Sequence, residues 1–301
     1  MKRVLIGIAT VSSLLATSAL AADLPVRTYT KAPVYVDPVY DWTGFYVGGN
    51  IGYSWGRSNS TLTLSDATSG AILSSAATKF GMDGIIGGGQ IGYNWQRDKW
   101  VFGLEADIQG SGQKGSASAL CAGGTAAVLN SACSLGHVGD TTPFNVPAFP
   151  VTDSLSEKLD WFGTFRGRIG PTITPTILAY VTGGLAYGQV GTTNTVSGIN
   201  IVGPQGTNGS INVPVAGSFS NSTFKAGWTL GVGVEGVISG NWTAKLEYLY
   251  IDLGNVSGSF VTPIVAPSGA FVTSSYSSHI TDNILRVGVN YRWGGPVVAK
   301  Y

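Results

Sequence analysis

Between Ala226 and Leu253 the chain reads AGWTLGVGVEGVISGNWTAKLEYLYIDL. From Ala226 onward every second position is apolar: Trp228, Leu230, Val232, Val234 and, past Gly236, Ile238. The positions between are Gly227, Thr229, Gly231, Gly233 and Glu235. After Ser239-Gly240-Asn241 the alternation resumes, with Trp242, Ala244, Leu246, Tyr248 and Tyr250 set against Thr243, Lys245 and Glu247. A period of two specifies strands, because successive side chains point to opposite faces. The Gly-Asn pair specifies a hairpin turn. Glu235, Lys245 and Glu247 lie on the face that lacks the apolar residues. A soluble barrel or sandwich would bury the apolar face as its core. A transmembrane barrel turns it to lipid and lines its interior with the polar one.

The N-terminus bears on the compartment. Lys2 and Arg3 precede a mostly apolar run from Val4 to Leu20, and Ala19-Leu20-Ala21 is an A-x-A cleavage site. A signal peptide over 1–21, cut between Ala21 and Ala22, is expected, and the alternative is a retained membrane anchor. Ala22 in place of a cysteine excludes a lipoprotein. Beyond this segment no run of about 18 apolar residues occurs, so a membrane form of the chain has to be a barrel. A formal net charge of +1 lacks the basic footprint of a nucleic-acid surface.

Residues 22–41 are rich in proline and tyrosine and have no period, which reads as an extended periplasmic lead-in. The strand pattern starts at Trp42 and recurs eight times up to Trp293. Short turns are expected near Arg97-Asp98-Lys99, Pro171 to Pro175 and Ser239 to Asn241, and long polar loops over 56–79, 112–156, 191–222 and 254–278. Such strict alternation predicts an all-β chain, an eight-stranded antiparallel up-and-down transmembrane β-barrel with periplasmic turns and extracellular loops. Strands of about ten residues match the bilayer. Trp55, Trp95, Trp100, Trp161, Tyr187, Trp242, Tyr250 and Trp293 sit at strand ends, as interfacial girdles require. Lipid-facing positions include Phe45, Val47, Ile51, Trp228, Leu230, Val232, Leu246, Val287 and Val289.

The ordered set DWTGFYVGGNIGYSWG (41–56), GGGQIGYNWQ (87–96), FGLEADIQGSG (102–112), FGTFRGRIG (162–170), YLYIDLG and NILRVGVNYRW (283–293) resembles the RopB-type small outer-membrane proteins of alphaproteobacteria. The resemblance covers every predicted strand and leaves the long loops uncovered. It implies a small porin-like barrel of the OmpA-transmembrane and OmpX kind in the Gram-negative outer membrane. It also implies roles in envelope integrity and in surface contact with a host or environment. The partners expected are outer-membrane lipid, lipopolysaccharide, the barrel-insertion machinery and a surface ligand held by the loops. One departure concerns the terminal aromatic that insertion machinery reads: Trp293 ends the pattern, yet residues 294–301 follow and end on Tyr301.

Chemistry can reside in the inward-facing ionisable residues: Glu105, Asp107, Asp160, Arg166, Arg168, Lys225, Glu235, Lys245, Glu247, Arg286 and Arg292. Eight strands leave a bore that side chains fill, and an isolated buried charge is costly, so these groups are expected to pair into a plug. The alternative is a narrow porin-like conduit for ions or small solutes. Cys121 and Cys133 lie in one long loop of an exported chain and are expected to form a disulfide, against free thiols or a metal site, which no ligand spacing supports. His137 and His279 are the histidines of the chain. The resemblance implies loop-mediated haemin or other ligand binding as an alternative, for which a loop histidine is the candidate. The cluster Ser277, Ser278, His279 and Asp282 raises a lipid A-modifying enzyme as the least favoured reading, since linear proximity is not triad geometry. No cofactor, metal or enzymatic activity is expected. Glycine runs lack the helix and the Lys-Ser/Thr of a phosphate loop.

Overall fold

The computed structural model describes residues 40–67, 70, 72–121, 151–202, 211–263 and 271–293. Eight strands follow one another: β1 (Gly44–Asp66), β2 (Ile72–Arg97), β3 (Trp100–Cys121), β4 (Val151–Thr174), β5 (Ile177–Val202), β6 (Ile211–Ser239), β7 (Trp242–Pro263) and β8 (Phe271–Trp293). Each pairs antiparallel with its sequence neighbours, and β8 returns to β1 through Phe45↔Trp293 to Asp66↔Val272, closing a barrel. The predicted signal peptide with Ala21 and Ala22, the lead-in up to residue 39 and the tail 294–301 lie outside the described residues.

The lipid belt is where the alternation places it. Phe45, Ile51, Leu230, Val232, Leu246 and Val287 all point outward and are exposed. Aromatic pairs border the belt: Trp242 with Tyr291 and Tyr291 with Trp293 at the end of the short turns, Trp228 with Tyr250 and Trp161 with Tyr187 at the other. The short turns are two residues long, Asp98-Lys99, Pro175-Thr176 and Gly240-Asn241. Asp98 (φ 55°) and Gly240 (φ 52°) take the left-handed backbone that tight hairpins demand. The second turn is shorter than expected, because β4 continues through Pro171 to Thr174.

The predicted long loops are mostly strand. Strands run from 22 residues in β3 to 29 in β6, where about ten suffice to cross the bilayer. Strand covers 56–66 and 72–79, 112–121 and 151–156, 191–202 and 211–222, and 254–263 and 271–278. Above the membrane the outer face meets water, so Ser, Thr and Gly replace the apolar outer row and the hydrophobic period vanishes from the sequence. The ladders also change there. That between β2 and β3 ends at Asp83↔Lys114, and that between β6 and β7 at Trp228↔Asp252. The other pairings run on, as far as Cys121↔Val151, Val202↔Ile211 and Pro263↔Phe271. The extracellular extension is therefore two four-stranded sheets, β3–β6 and β7-β8-β1-β2, with a seam on either side.

The interior is layered. Near the periplasmic end it is charged. Above that comes an apolar cluster of Ile86, Leu159, Phe162, Val190, Leu249, Ile251, Leu253, Val256, Ile280 and Ile284. Higher still, polar groups return with Ser58, Ser60, Asp153, Glu157 and Asn194, all buried. Leu159 faces inward, against the sequence expectation, and Asp160 faces outward. The register shift between Leu159↔Val190 and Trp161↔Gln189 marks a β-bulge at Asp160, and one extra residue exchanges the two faces of the strand.

Candidate functional site in the barrel lumen

Four carboxylates and four cations meet inside the lower barrel. Glu105 and Asp107 come from β3, Arg166 and Arg168 from β4, Glu235 from β6, Lys245 and Glu247 from β7, and Arg286 from β8; all are buried. Strand alternation aims each of them inward, and closure of the ring brings together residues distant in sequence, as in Arg286 Nη2 to Asp107 Oδ2 at 2.9 Å, 179 positions apart. Arg166 is the hub. Its Nη2 donates to Glu105 and, at 3.0 Å, to Asp107; its Nη1 donates to Glu247 Oε1 at 3.1 Å, and its Nε to Thr164 at 2.8 Å. Arg286 binds Glu247 Oε2 through Nε at 2.8 Å. Lys245 Nζ lies 2.9 and 3.0 Å from the two oxygens of Glu105. Arg168 donates to Glu235 Oε2 at 2.9 Å and twice to Asn94 Oδ1, at 3.0 and 2.8 Å.

Neutral groups complete the cluster, so that all eight strands contribute. Tyr46 on β1 donates to Glu105 at 2.7 Å, and Tyr180 on β5 donates to Glu247 at 3.0 Å. The Arg168 guanidinium sits between those two rings, 4.7 and 5.1 Å from their centroids, an arrangement favourable to a desolvated cation. Glu235 also accepts from Thr243 at 2.6 Å and Asn290 at 2.8 Å. From Asn290 the chain of bonds continues through Gln90 to Asn50. Glycine makes room for the rings. A Cβ at Gly233 would lie 2.5 Å from the Tyr180 ring, and one at Gly92 would meet the Tyr46 ring. With charges balanced and hydrogen-bonded, the desolvation cost of each ion is offset by its neighbours.

Three expected members stand apart. Asp160 points outward, carried there by the bulge, and pairs with Lys158 at 3.0 Å. Lys225 keeps the inward parity but lies high on β6, opposite Gly188, and joins no ion pair among the described residues. Arg292 is buried at the floor, where it meets the end of the lead-in instead of a carboxylate. Its Nη2 donates to the carbonyls of Asp41 at 2.7 Å and Thr43 at 3.1 Å, and its guanidinium lies over the Tyr40 and Trp42 rings. Trp42 itself is fully buried in the mouth, with Val101, Leu178 and Tyr180 around it and its Nε1 donating to Pro175 O at 3.2 Å. The periodicity counted Trp42 as the start of the first strand, whereas that strand begins at Gly44 and Trp42 precedes it.

The histidine cluster does not assemble. His279 lies on the outer wall, with Nδ1 2.8 Å from Asn255 Oδ1 and Nε2 3.4 Å from Asp252. Asp282 is on the inner face, where it accepts from Ser54 and, at 2.7 Å, from Gln113. The wall separates the two. Cys121 ends β3, while Cys133 and His137, and with them the predicted disulfide, lie outside the described residues.

Comparison with known proteins agrees with this architecture. The family model described as outer membrane protein beta-barrel domain matches residues 8–293. The chain is 35% identical over 290 residues to the 31 kDa outer-membrane immunogenic protein of Brucella melitensis, covering 95% of this chain and 98% of that one. It is 25% identical over 243 residues to the 25 kDa outer-membrane immunogenic protein of Brucella abortus, covering 79% and 78%. Over 226 residues it is 28% identical to the 22 kDa outer membrane protein of Rhizobium leguminosarum, covering 74% and 68%.

Proposed function

This chain belongs to the outer membrane protein β-barrel domain family, and from that premise we propose that it is a sealed, non-enzymatic barrel which contributes to envelope integrity and presents its extracellular sheets to a host or environment. The observation that carries the reading is the balanced ion cluster, with four cations against four carboxylates drawn from five strands and capped by hydroxyls and amides from the other three. Such a cluster fills the bore of a barrel this narrow. Two further barriers stand in series with it, the Trp42–Arg292 stopper below and the apolar layer above. A conduit would have to pass beside the apolar cluster, along Ser54, Gln113 and Asp282, which hydrogen-bond to one another across that side of the lumen.

The surface role draws on the extracellular sheets, rich in Ser, Thr and Gly, and on the name of the Brucella relatives as outer-membrane immunogenic proteins. Surface segments of this kind carry recognition on a rigid scaffold. Lipopolysaccharide and outer-membrane lipid are the partners of the belt, and the barrel-insertion machinery acts during biogenesis. The separation of His279 from Asp282 by the barrel wall favours a non-enzymatic reading.

Planar-bilayer conductance of the refolded protein tests the seal. Neither wild type nor Arg166→Ala is expected to give discrete steps, because the stopper and the apolar layer remain in the variant. Steady wild-type channels whose ion preference changes in Arg166→Ala would overturn the reading and make the cluster a selectivity filter.

A further inference from the structure

We propose that the outer face of β1–β4, immediately above the membrane, binds the phosphates of lipid A and so holds the glycolipid of the outer leaflet against one side of the barrel. The inference rests on the outer-membrane reading above and adds to it a face and a headgroup. Among the described residues, the lysines and arginines that point outward beyond the extracellular aromatic girdle are Arg57, Lys79, Lys114 and Lys158, one on each of four consecutive strands. The outer positions of β5–β8 at that height carry no lysine or arginine; Thr193, Thr195, Ser222, Asn255 and, on β8, His279 occupy them. Nothing in the fold imposes this one-sidedness, since every strand offers outward positions there.

Height and register give the patch its chemistry. Arg57 follows Trp55 by two residues and Lys158 precedes Trp161 by three, or about 7–10 Å along a strand. Long cationic side chains at that height reach back to the headgroup layer. Lys114 and Lys158 are direct cross-strand partners. Like charges facing each other on one side of a sheet are destabilising, and an anion between them relieves the repulsion. Two carboxylates share the face. Asp83 lies opposite Lys114 but already accepts the Tyr53 hydroxyl at 2.5 Å, and Asp160 lies 3.0 Å from Lys158. Four cations against two carboxylates leave an excess of positive charge at the level of the lipid phosphates. Each basic residue near an anionic headgroup layer strengthens binding, and the set acts together.

The test uses the full mature chain refolded in detergent, with folding checked by resistance to unfolding in cold SDS. Wild type is compared with Arg57→Gln/Lys79→Gln/Lys114→Gln/Lys158→Gln, and with Arg97→Gln/Lys99→Gln in the periplasmic turn. Each is titrated with diphosphoryl lipid A, dephosphorylated lipid A and phosphatidylglycerol, reading tryptophan fluorescence. Wild type should prefer diphosphoryl lipid A over its dephosphorylated form by at least about tenfold, and the preference should shrink as salt rises. The quadruple variant should lose the preference and the turn variant keep it. A quadruple variant that retains it, a turn variant that loses it, or equal binding of phosphatidylglycerol would each overturn the proposal. If the quadruple variant does not refold, Lys114→Gln/Lys158→Gln is read by the same criteria. A folded barrel without lipid A preference leaves the seal untouched, whereas a conducting wild type sinks the seal without touching the lipid result.

Discussion

Arg166 bonds to Glu105, Asp107 and Glu247, the three carboxylates that Arg286 also reaches, and in addition holds Thr164. Replacing it with Met removes one positive charge from a balanced set and leaves three buried carboxylates sharing Lys245 and Arg286. Breaking a buried pair from one side costs about 3–5 kcal/mol, because the partner charge stays behind uncompensated. Urea unfolding in lipid vesicles should therefore move to markedly lower denaturant in Arg166→Met. The reverse comparison separates pairing from packing: Arg166→Met/Glu247→Gln should recover part of the loss, whereas additive losses would mean that the cluster acts only by filling space. Most of these participants could be read from the sequence, since strand alternation alone put Glu105, Asp107, Arg166, Arg168, Glu235, Lys245, Glu247 and Arg286 on the inner face. Asp160 could not, because a single-residue bulge leaves no compositional trace and the neighbouring Trp161 kept the expected period. Arg292 was legible as inward-facing but not as the partner of Trp42, which precedes β1 and has no strand period to place it.

At the level of elements, legibility follows the lipid. The hairpin β6–β7 declares itself because bilayer contact forces one face to be continuously apolar from Trp228 to Ile238 and from Trp242 to Tyr250. Above the girdle no such demand exists, and strands such as Ser218–Lys225, with the run SFSNSTFK, look like loop. The same stretch holds a consequence of the two-sheet arrangement. Beyond Trp228↔Asp252 the edges of β6 and β7 no longer share a ladder, and the stacked rings of Phe219 and Phe260, 5.6 Å apart, face each other across the seam. At similar height β4 and β5 remain fully paired, from Glu157↔Thr192 to Asp153↔Val196. Backbone groups on an unpaired edge open to water at little cost. Hydrogen–deuterium exchange should therefore be at least roughly tenfold faster for 219–227 and 254–260 than for 153–158 and 191–196. Equal protection of both sets would mean that the seam is bonded in solution and that the extension is a single closed ring.

The whole molecule then consists of a charged ring within the membrane and a two-sheet extension above it, with an apolar cluster between them. These layers respond oppositely to the loss of charge. In the ring, carboxylates are matched by cations. In the extension, Asp153 and Glu157 are buried with no cation paired to them among the described residues. Burial raises the Asp153 carboxyl to about 6 and raises that of Glu157 as well, with the Ser278 and Ser58 hydroxyls partly opposing the second shift. A carboxyl whose pKa is higher in the folded state binds its proton more tightly there than in the unfolded chain. Folding stability from these groups is thus fully present below their ordinary values near 4 and is lost as pH rises through about 6. Amide protection of the extracellular strands, corrected for intrinsic exchange, should increase between pH 7 and pH 5 while that of the membrane segments stays level. Asp153→Asn/Glu157→Gln should flatten the increase. Arg166→Met should leave it intact, since Arg166 and Asp153 lie 13 residues apart on β4, roughly 40 Å along the strand, too far to couple directly. An Arg166→Met barrel that loses the pH response would show instead that the apolar layer transmits strain between the two, and that seal and surface are one cooperative unit.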